Sequence, residues 1–236
     1  MKSTFWLVFR RLMLLAAVAA LLAYPAARFG VFAWPRAYDP LALPDMTVTP
    51  GFLTSWQMRL VDLQPGECAL VLQRAGVAAV LKPAKNPGSS CAVSGAIAVS
   101  GFSTARIKTE DMRCGVAARL YIWERHVLQP AARRILGEDI VEVLHFGSFS
   151  CRTIRGSRYM SEHATANAFD ISGFRTKSGK VISVKRDWNK GTSESRFLHA
   201  ARDGLCDWFN ATLSPDYNAA HADHFHVDMG WLRTCR

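Results

Sequence analysis

Residues 161–172 read SEHATANAFDIS and residues 221–229 read HADHFHVDM, and these two short stretches concentrate the chain's imidazoles and acids. Side chains alternate between the two faces of a strand. Around Asp170, Phe169 and Ile171 therefore share one face while Ala168, Asp170 and Ser172 share the other. In the second stretch Phe225, Val227 and Met229 fall together and leave His224, His226 and Asp228 opposite. Each strand thus has an apolar side for a core and a side bearing potential metal ligands. His163 and Asp170 are seven residues apart, about 10 Å along a continuous helix. To share one ion, the chain must double back between them, from a loop into the strand.

Zinc accepts imidazole nitrogen and carboxylate oxygen at about 2.0–2.2 Å, and a catalytic site supplies three protein ligands with one position left open. His163, Asp170 and one histidine of His224-Phe-His226 make such a set. The other histidine is then free to orient substrate or an oxyanion. Asp223 is the candidate proton acceptor for a metal-activated water. In an unbroken strand Asp223 faces away from His226, so this role requires the strand to begin or bulge near residue 224. Arg152 offers a fixed guanidinium for a substrate carboxylate or a developing oxyanion.

Outward from these stretches, the order of elements predicts an α+β domain: an antiparallel sheet carrying a zinc site and backed by helices. The run at 140–146 (IVEVLHF) is β-branched and strand-like, and further strands are expected at 168–172, 181–185 and 224–229. Phe197, Ala201, Leu205 and Trp208 form one stripe of a helix over 194–209. A core helix is expected from Glu110 and Asp111 through Val127, and a second one from Pro130 to a stop at Gly137. Between residues 56 and 100 the short apolar runs CALVL, VAAVL and AIAVS suggest a small strand-containing subregion.

The first residues carry Lys2, Arg10 and Arg11 ahead of the apolar run Leu12–Ala23, the pattern of a secretory signal or a signal-anchor. Pro25 stands where a small-x-small cleavage site is wanted, which favours an uncleaved anchor. Residues 1–28 are therefore read as a single membrane helix and 29–50, with four of the ten prolines, as a linker. Residues 51–236 form the folded domain, with an N-terminal subregion at 51–108 and a helical and metal-site region at 109–236. The expected location is a membrane with the folded domain exported, or secretion if the segment is removed.

Six cysteines, widely spaced and without C-x-x-C, exclude zinc fingers and fit up to three disulfides in an oxidising compartment. Their spacing leaves all 15 pairings open. Lys and Arg outnumber Asp and Glu by 29 to 19, but no nucleic-acid reader module accompanies that excess, so no nucleic-acid partner is expected.

The pattern S-x-H-x6-D, followed by D-x-x-H within H-x-H, resembles the LAS-type zinc peptidases, which include D-alanyl-D-alanine carboxypeptidases and peptidoglycan endopeptidases. More closely, Cys151-Arg152, the S-x-HA-x-x-NA-x-DI-x-GF run and the ending LSPDYNAAHADHFHVD resemble the bacterial extensin-like C-terminal domain family. The resemblance implies zinc held by His163, Asp170 and His226, with Asp223 at the catalytic carboxylate position. It further implies substrate-binding roles for Ser161 and Arg152, and catalytic roles for Arg152 and for His224, the first histidine of H-x-H. The implied activity is zinc-dependent hydrolysis of an amide bond in peptidoglycan stem peptides or cross-links, and the implied location is the bacterial inner membrane and the periplasm. The alternative is an inactive, zinc-stabilised module that binds the cell wall. A metal phosphoesterase is a third possibility, needing further ligands for a second metal that His221 with Asp228 only partly provide. Ala166 stands where these peptidases usually place Gly, and a positive φ there would strain it.

Overall fold

A computed structural model describes residues 2–31 and 35–236. Helix α1 (Lys2–Arg28) contains the apolar stretch Phe5–Ala27, 23 residues at a mean hydropathy of 2.0 with none of it buried in the protein. By length and composition it can cross a membrane. Residues 32–34 of the expected linker lie outside the described residues. Those from 35 to 50 are fastened to the domain: Gln57 donates to the carbonyls of Arg36 and Asp39, Trp56 to that of Pro40, and Arg125 to that of Thr47. Met46 is buried in the core.

Helices α2 (Thr54–Leu63) and α3 (Pro65–Arg74) follow. The CALVL run, expected as part of a strand-containing subregion, lies in α3, where Cys68, Ala69, Val71 and Leu72 form its buried stripe. Five apolar residues in a row carry no period, so local sequence did not separate the two conformations. Of VAAVL only β1 (Val80–Leu81) is strand, whereas AIAVS does become β2 (Ala96–Gly101).

Residues 106–113 form β3 (Arg106–Arg113), so Glu110 and Asp111 are strand residues and not the start of a helix. The helix begins at Cys114 as α4 (Cys114–Trp123), widens into one π-turn over Glu124–Leu128 and continues as α5 (Gln129–Leu136). Gly137 ends it with φ +77°, a left-handed cap that glycine adopts without penalty. This helical crossover returns the chain to β4 (Ile140–Gly147), which pairs parallel with β3.

The sheet then grows through β5 (Ala168–Thr176), β6 (Val181–Ser183), β7 (Ala211–Leu213), β8 (Phe225–Asp228) and β9 (Thr234–Cys235), with α6 (Val184–Asp187) and α7 (Ser193–Cys206) between β6 and β7. Its order is β1-β2-β3-β4-β5-β8-β7-β9, with β6 pairing β5. Pairing is antiparallel except for β3 with β4 and β7 with β9, so the sheet is mixed and not purely antiparallel as expected. The helical crossover between β3 and β4 is what permits the parallel pair.

Alternation holds where it was read: Phe169, Ile171, Phe225 and Val227 are fully buried. They face a core in which Phe174 packs against Trp123 and edge-on against Phe197 of α7, at centroid distances of 6.2 and 5.3 Å. Burying one such aromatic side chain contributes roughly 1.5–3 kcal/mol. All six cysteines pair: Cys68 with Cys114, Cys91 with Cys151, and Cys206 with Cys235.

Candidate metal centre

Strand β5 runs antiparallel to β8 in the register that sets Asp170 opposite His226 and Ala168 opposite Asp228. The non-core faces of both strands therefore present their polar side chains side by side. His163 arrives from outside the sheet, on a short 3-10 turn (Glu162–Thr165) just before β5. The Ser161 hydroxyl caps that turn by accepting from the His163 N–H at 3.3 Å. Ala166 closes it with φ +53°, ψ +29°, so the chain doubles back between His163 and Asp170. The position does take a positive φ, and Ala pays about 1–2 kcal/mol for it.

Three donor atoms converge. His163 Nε2 lies 3.1 Å from Asp170 Oδ1 and 3.1 Å from His226 Nδ1, and His226 Nδ1 lies 2.9 Å from Asp170 Oδ1. These are the three residues whose ligand atoms come together closely enough to hold one ion. The outer nitrogen of each histidine is already committed. His163 Nδ1 donates to the Ser148 carbonyl at 2.8 Å, and His226 Nε2 donates to Asp228 Oδ2 at 2.9 Å. A neutral imidazole has one N–H, so without a proton or an ion between them the two inner nitrogens would point lone pairs at each other and at a carboxylate. One positive charge at the centre reconciles them.

The donor set fits zinc: two imidazoles and a carboxylate, with edges close to the roughly 3.3 Å of a tetrahedron whose arms are about 2.0 Å. Its supporting shell is of the kind that metal-binding histidines require, with Asp228 in turn held by the Gly230 N–H at 2.8 Å. Ser148 is braced as well, its N–H donating to Glu110 Oε1 at 3.1 Å and its hydroxyl to the Ala168 carbonyl at 2.7 Å.

The electrostatics agree. Burial works against a charge on Asp170, yet hydrogen bonds from His163 and His226 hold its carboxyl well below the usual carboxylate range. Burial also opposes protonation of His226, but the hydrogen bonds and charges of Asp170 and Asp228 outweigh it and push this imidazole up to about 9. The cluster is built to stabilise a positive charge between its members.

The remaining expected residues lie around this core. Strand β8 starts at Phe225, with Asp223 in the preceding turn, which meets the condition set by its alternation. The Asp223 carboxylate is 43% exposed and accepts from His224 Nδ1 at 2.8 Å. His224 Nε2 lies 3.7 Å from Asp170 Oδ1, and its ring packs edge-on to Phe146. Arg152 is exposed, and among the described residues its guanidinium has no hydrogen bond or ion pair. It follows Cys151, tethered to Cys91, and its carbonyl accepts from the Ser161 N–H at 3.1 Å. The loop bearing Arg152 is thereby joined to the turn bearing His163.

Three contributors lie outside the expected ligands and catalytic residues. Ser148 acts through a backbone carbonyl, which no side-chain pattern reveals. Asp228 shares the His226 face by alternation, but its role as that histidine's acceptor needs the pairing geometry. His221 lies 5.2 Å from His224 and 5.8 Å from His226, ring to ring. Burial first, then the positive charge of His226, His224 and Arg152, push it down to about 4, although Asp170 pulls the other way. It is a neutral imidazole whose Nδ1 donates to Asn218 Oδ1 at 2.8 Å.

A family model described as extensin-like protein C-terminus matches residues 66–236, and the chain belongs to that family. No curated protein and no solved structure matches the chain.

Proposed function

We propose that this extensin-like domain is a zinc-dependent hydrolase, related to the LAS-type peptidases, that cleaves an amide bond in peptidoglycan stem peptides or cross-links. The observation that carries the reading is the cluster of His163, Asp170 and His226, whose outer nitrogens are tied off so that three lone-pair donors face one point. Bound there, zinc supplies Lewis acidity to a scissile carbonyl and lowers the pKa of water. Asp223 takes the proton of the attacking water and delivers it to the leaving amine. Arg152, the free cation at the rim, stabilises the negative charge developing on the carbonyl oxygen, with His224 beside it. Arg152 and Ser161 also orient the substrate peptide. In this reading α1 anchors the chain in the bacterial inner membrane, and the domain works in the periplasm, where disulfides persist.

The second reading is a zinc-stabilised module that holds wall glycopeptide without cutting it. It is favoured by one observation: the Asp223 carboxylate is already engaged by His224 Nδ1 at 2.8 Å. Mass spectrometry of muropeptides incubated with the zinc-loaded protein separates the two. Release of D-alanine or of split cross-links, lost in Asp223→Ala, supports the enzyme. Intact muropeptides retained by a zinc-loaded protein support the binding module, and hydrolysis unchanged in Asp223→Ala removes the proton-transfer role.

A further inference from the structure

A cavity of about 840 Å³ lies against the other side of the turn that carries His163. None of His163, Asp170 and His226 lines it, but Asn167, between the first two, does. Its floor is joined to that turn, since the Arg113 N–H donates to the Ala166 carbonyl at 2.9 Å. Four arginines line it against two aspartates. Arg119 and Asp62 satisfy each other through two hydrogen bonds of 2.7 Å. The other three, Arg59, Arg113 and Arg233, have no acid partner among the described residues, and Arg113 Nε is buried with no hydrogen-bond partner.

We propose that this cavity is a second binding site, separate from the metal centre, and that it takes a phosphate group carried on a larger ligand. A buried, unpaired guanidinium nitrogen is expensive unless something accepts its hydrogen bond. One carboxylate is saturated by one guanidinium fork, whereas a phosphate presents three oxygens and up to two negative charges to several. The cavity lies in the size range of small-molecule sites and far exceeds a phosphate ion. Trp208 and Asn210 also line it, the Asn210 amide nitrogen donating to the Gly230 carbonyl at 2.6 Å.

The walls are held before any ligand arrives. Cys114 of the lining is bonded to Cys68, and the lining's Cys206 and Cys235 are bonded to each other. Such preorganisation reduces the ordering cost of binding. Arg59, Arg113 and Arg233 come from α2, the end of β3 and the segment before β9, so only the completed fold assembles them.

The test uses the full chain in a neutral detergent, stripped of metal with a chelator so that phosphate has no ion to bind. Two probes are titrated by calorimetry: sodium phosphate, and micelles doped with phosphatidylglycerol. Saturable binding of either is expected, weakened at least about tenfold by Arg113→Ala and by Arg233→Ala and less by Arg113→Lys. Binding of sodium phosphate alone assigns a soluble phosphorylated ligand. Binding of the doped micelles, displaced by excess phosphate, assigns a lipid headgroup. The proposal is overturned if neither probe saturates below about 10 mM, or if Arg233→Ala, at an exposed position tolerant of change, binds like the parent chain.

Discussion

The two sides of the turn at 161–167 answer opposite electrostatic problems. On the side of His163, Asp170 and His226, carboxylates and imidazoles are braced at 2.8–3.1 Å around a point that favours positive charge. On the cavity side the surplus is positive: among the described residues three arginines are without acid partners, and a buried donor has no acceptor. A single short segment thus separates a site that favours positive charge from a site that favours negative charge. The first is nearly complete within the chain, while the second needs a ligand to satisfy it.

The largest expected effect follows from removing a donor on the first side. His163→Ala leaves two ligands and should lower zinc affinity by more than about 100-fold, measured by competition with a chromophoric chelator. Unchanged affinity would mean that the two sides do not differ as described. Next comes the support beyond the ligands. Asp228→Asn replaces the acceptor of His226 Nε2–H and should cost about 10–100-fold in zinc affinity, whereas Asp228→Glu recovers part of it.

The pH dependence sharpens the contrast. His226 is raised in the fold to about 9 from an unfolded value of 6.5. In metal-free protein its protonated form therefore contributes stability that is fully present below about pH 6.5 and is lost as pH rises through about 9. Melting curves of the chelated protein should show a falling Tm between pH 7 and 10. Zinc should abolish that fall, because the ion takes the proton's place, and its own affinity should rise over the same window. On the cavity side, Arg113→Met removes an unsatisfied buried donor. In ligand-free protein it should leave stability unchanged or raise it by about 1 kcal/mol. A loss of several kcal/mol on denaturant unfolding would reveal a partner for Arg113 within the chain.

The smallest effect is expected at the hinge between the two sides. Ala166→Gly relieves the left-handed backbone but deletes a methyl packed with Val93 and Ala96. The two contributions are each about 1 kcal/mol and oppose, so the net change should stay within about 0.5 kcal/mol. Ala166→Val, with no conformational relief and a branched side chain, should be clearly destabilising by the same unfolding measurement.

How much of this was legible in the sequence depends on the range of the interaction. Alternation placed Asp170, His226 and Asp228 away from the core because a strand's period is local and strict, whereas His224 lies just before β8. The stripe of Phe197, Ala201 and Leu205 and the stop at Gly137 were equally local. The five-residue run at 68–72 was not, since an unbroken apolar run fits strand and helix alike. Nor was β3: only Ile107 and Met112 are buried among its eight residues, so Glu110 and Asp111 resembled the acidic start of the helix that follows. Mixed pairing, the Ser148 carbonyl and the three unpaired arginines depend on contacts across tens of residues, which no window of sequence contains.

The central claim is that distant segments converge on one divalent ion. Diffraction from zinc-soaked crystals, collected on both sides of the zinc absorption edge, tests it most directly. One anomalous peak is expected at about 2.0–2.2 Å from His163 Nε2, His226 Nδ1 and an Asp170 carboxylate oxygen. A peak elsewhere, or none with these three side chains still in contact, would contradict it.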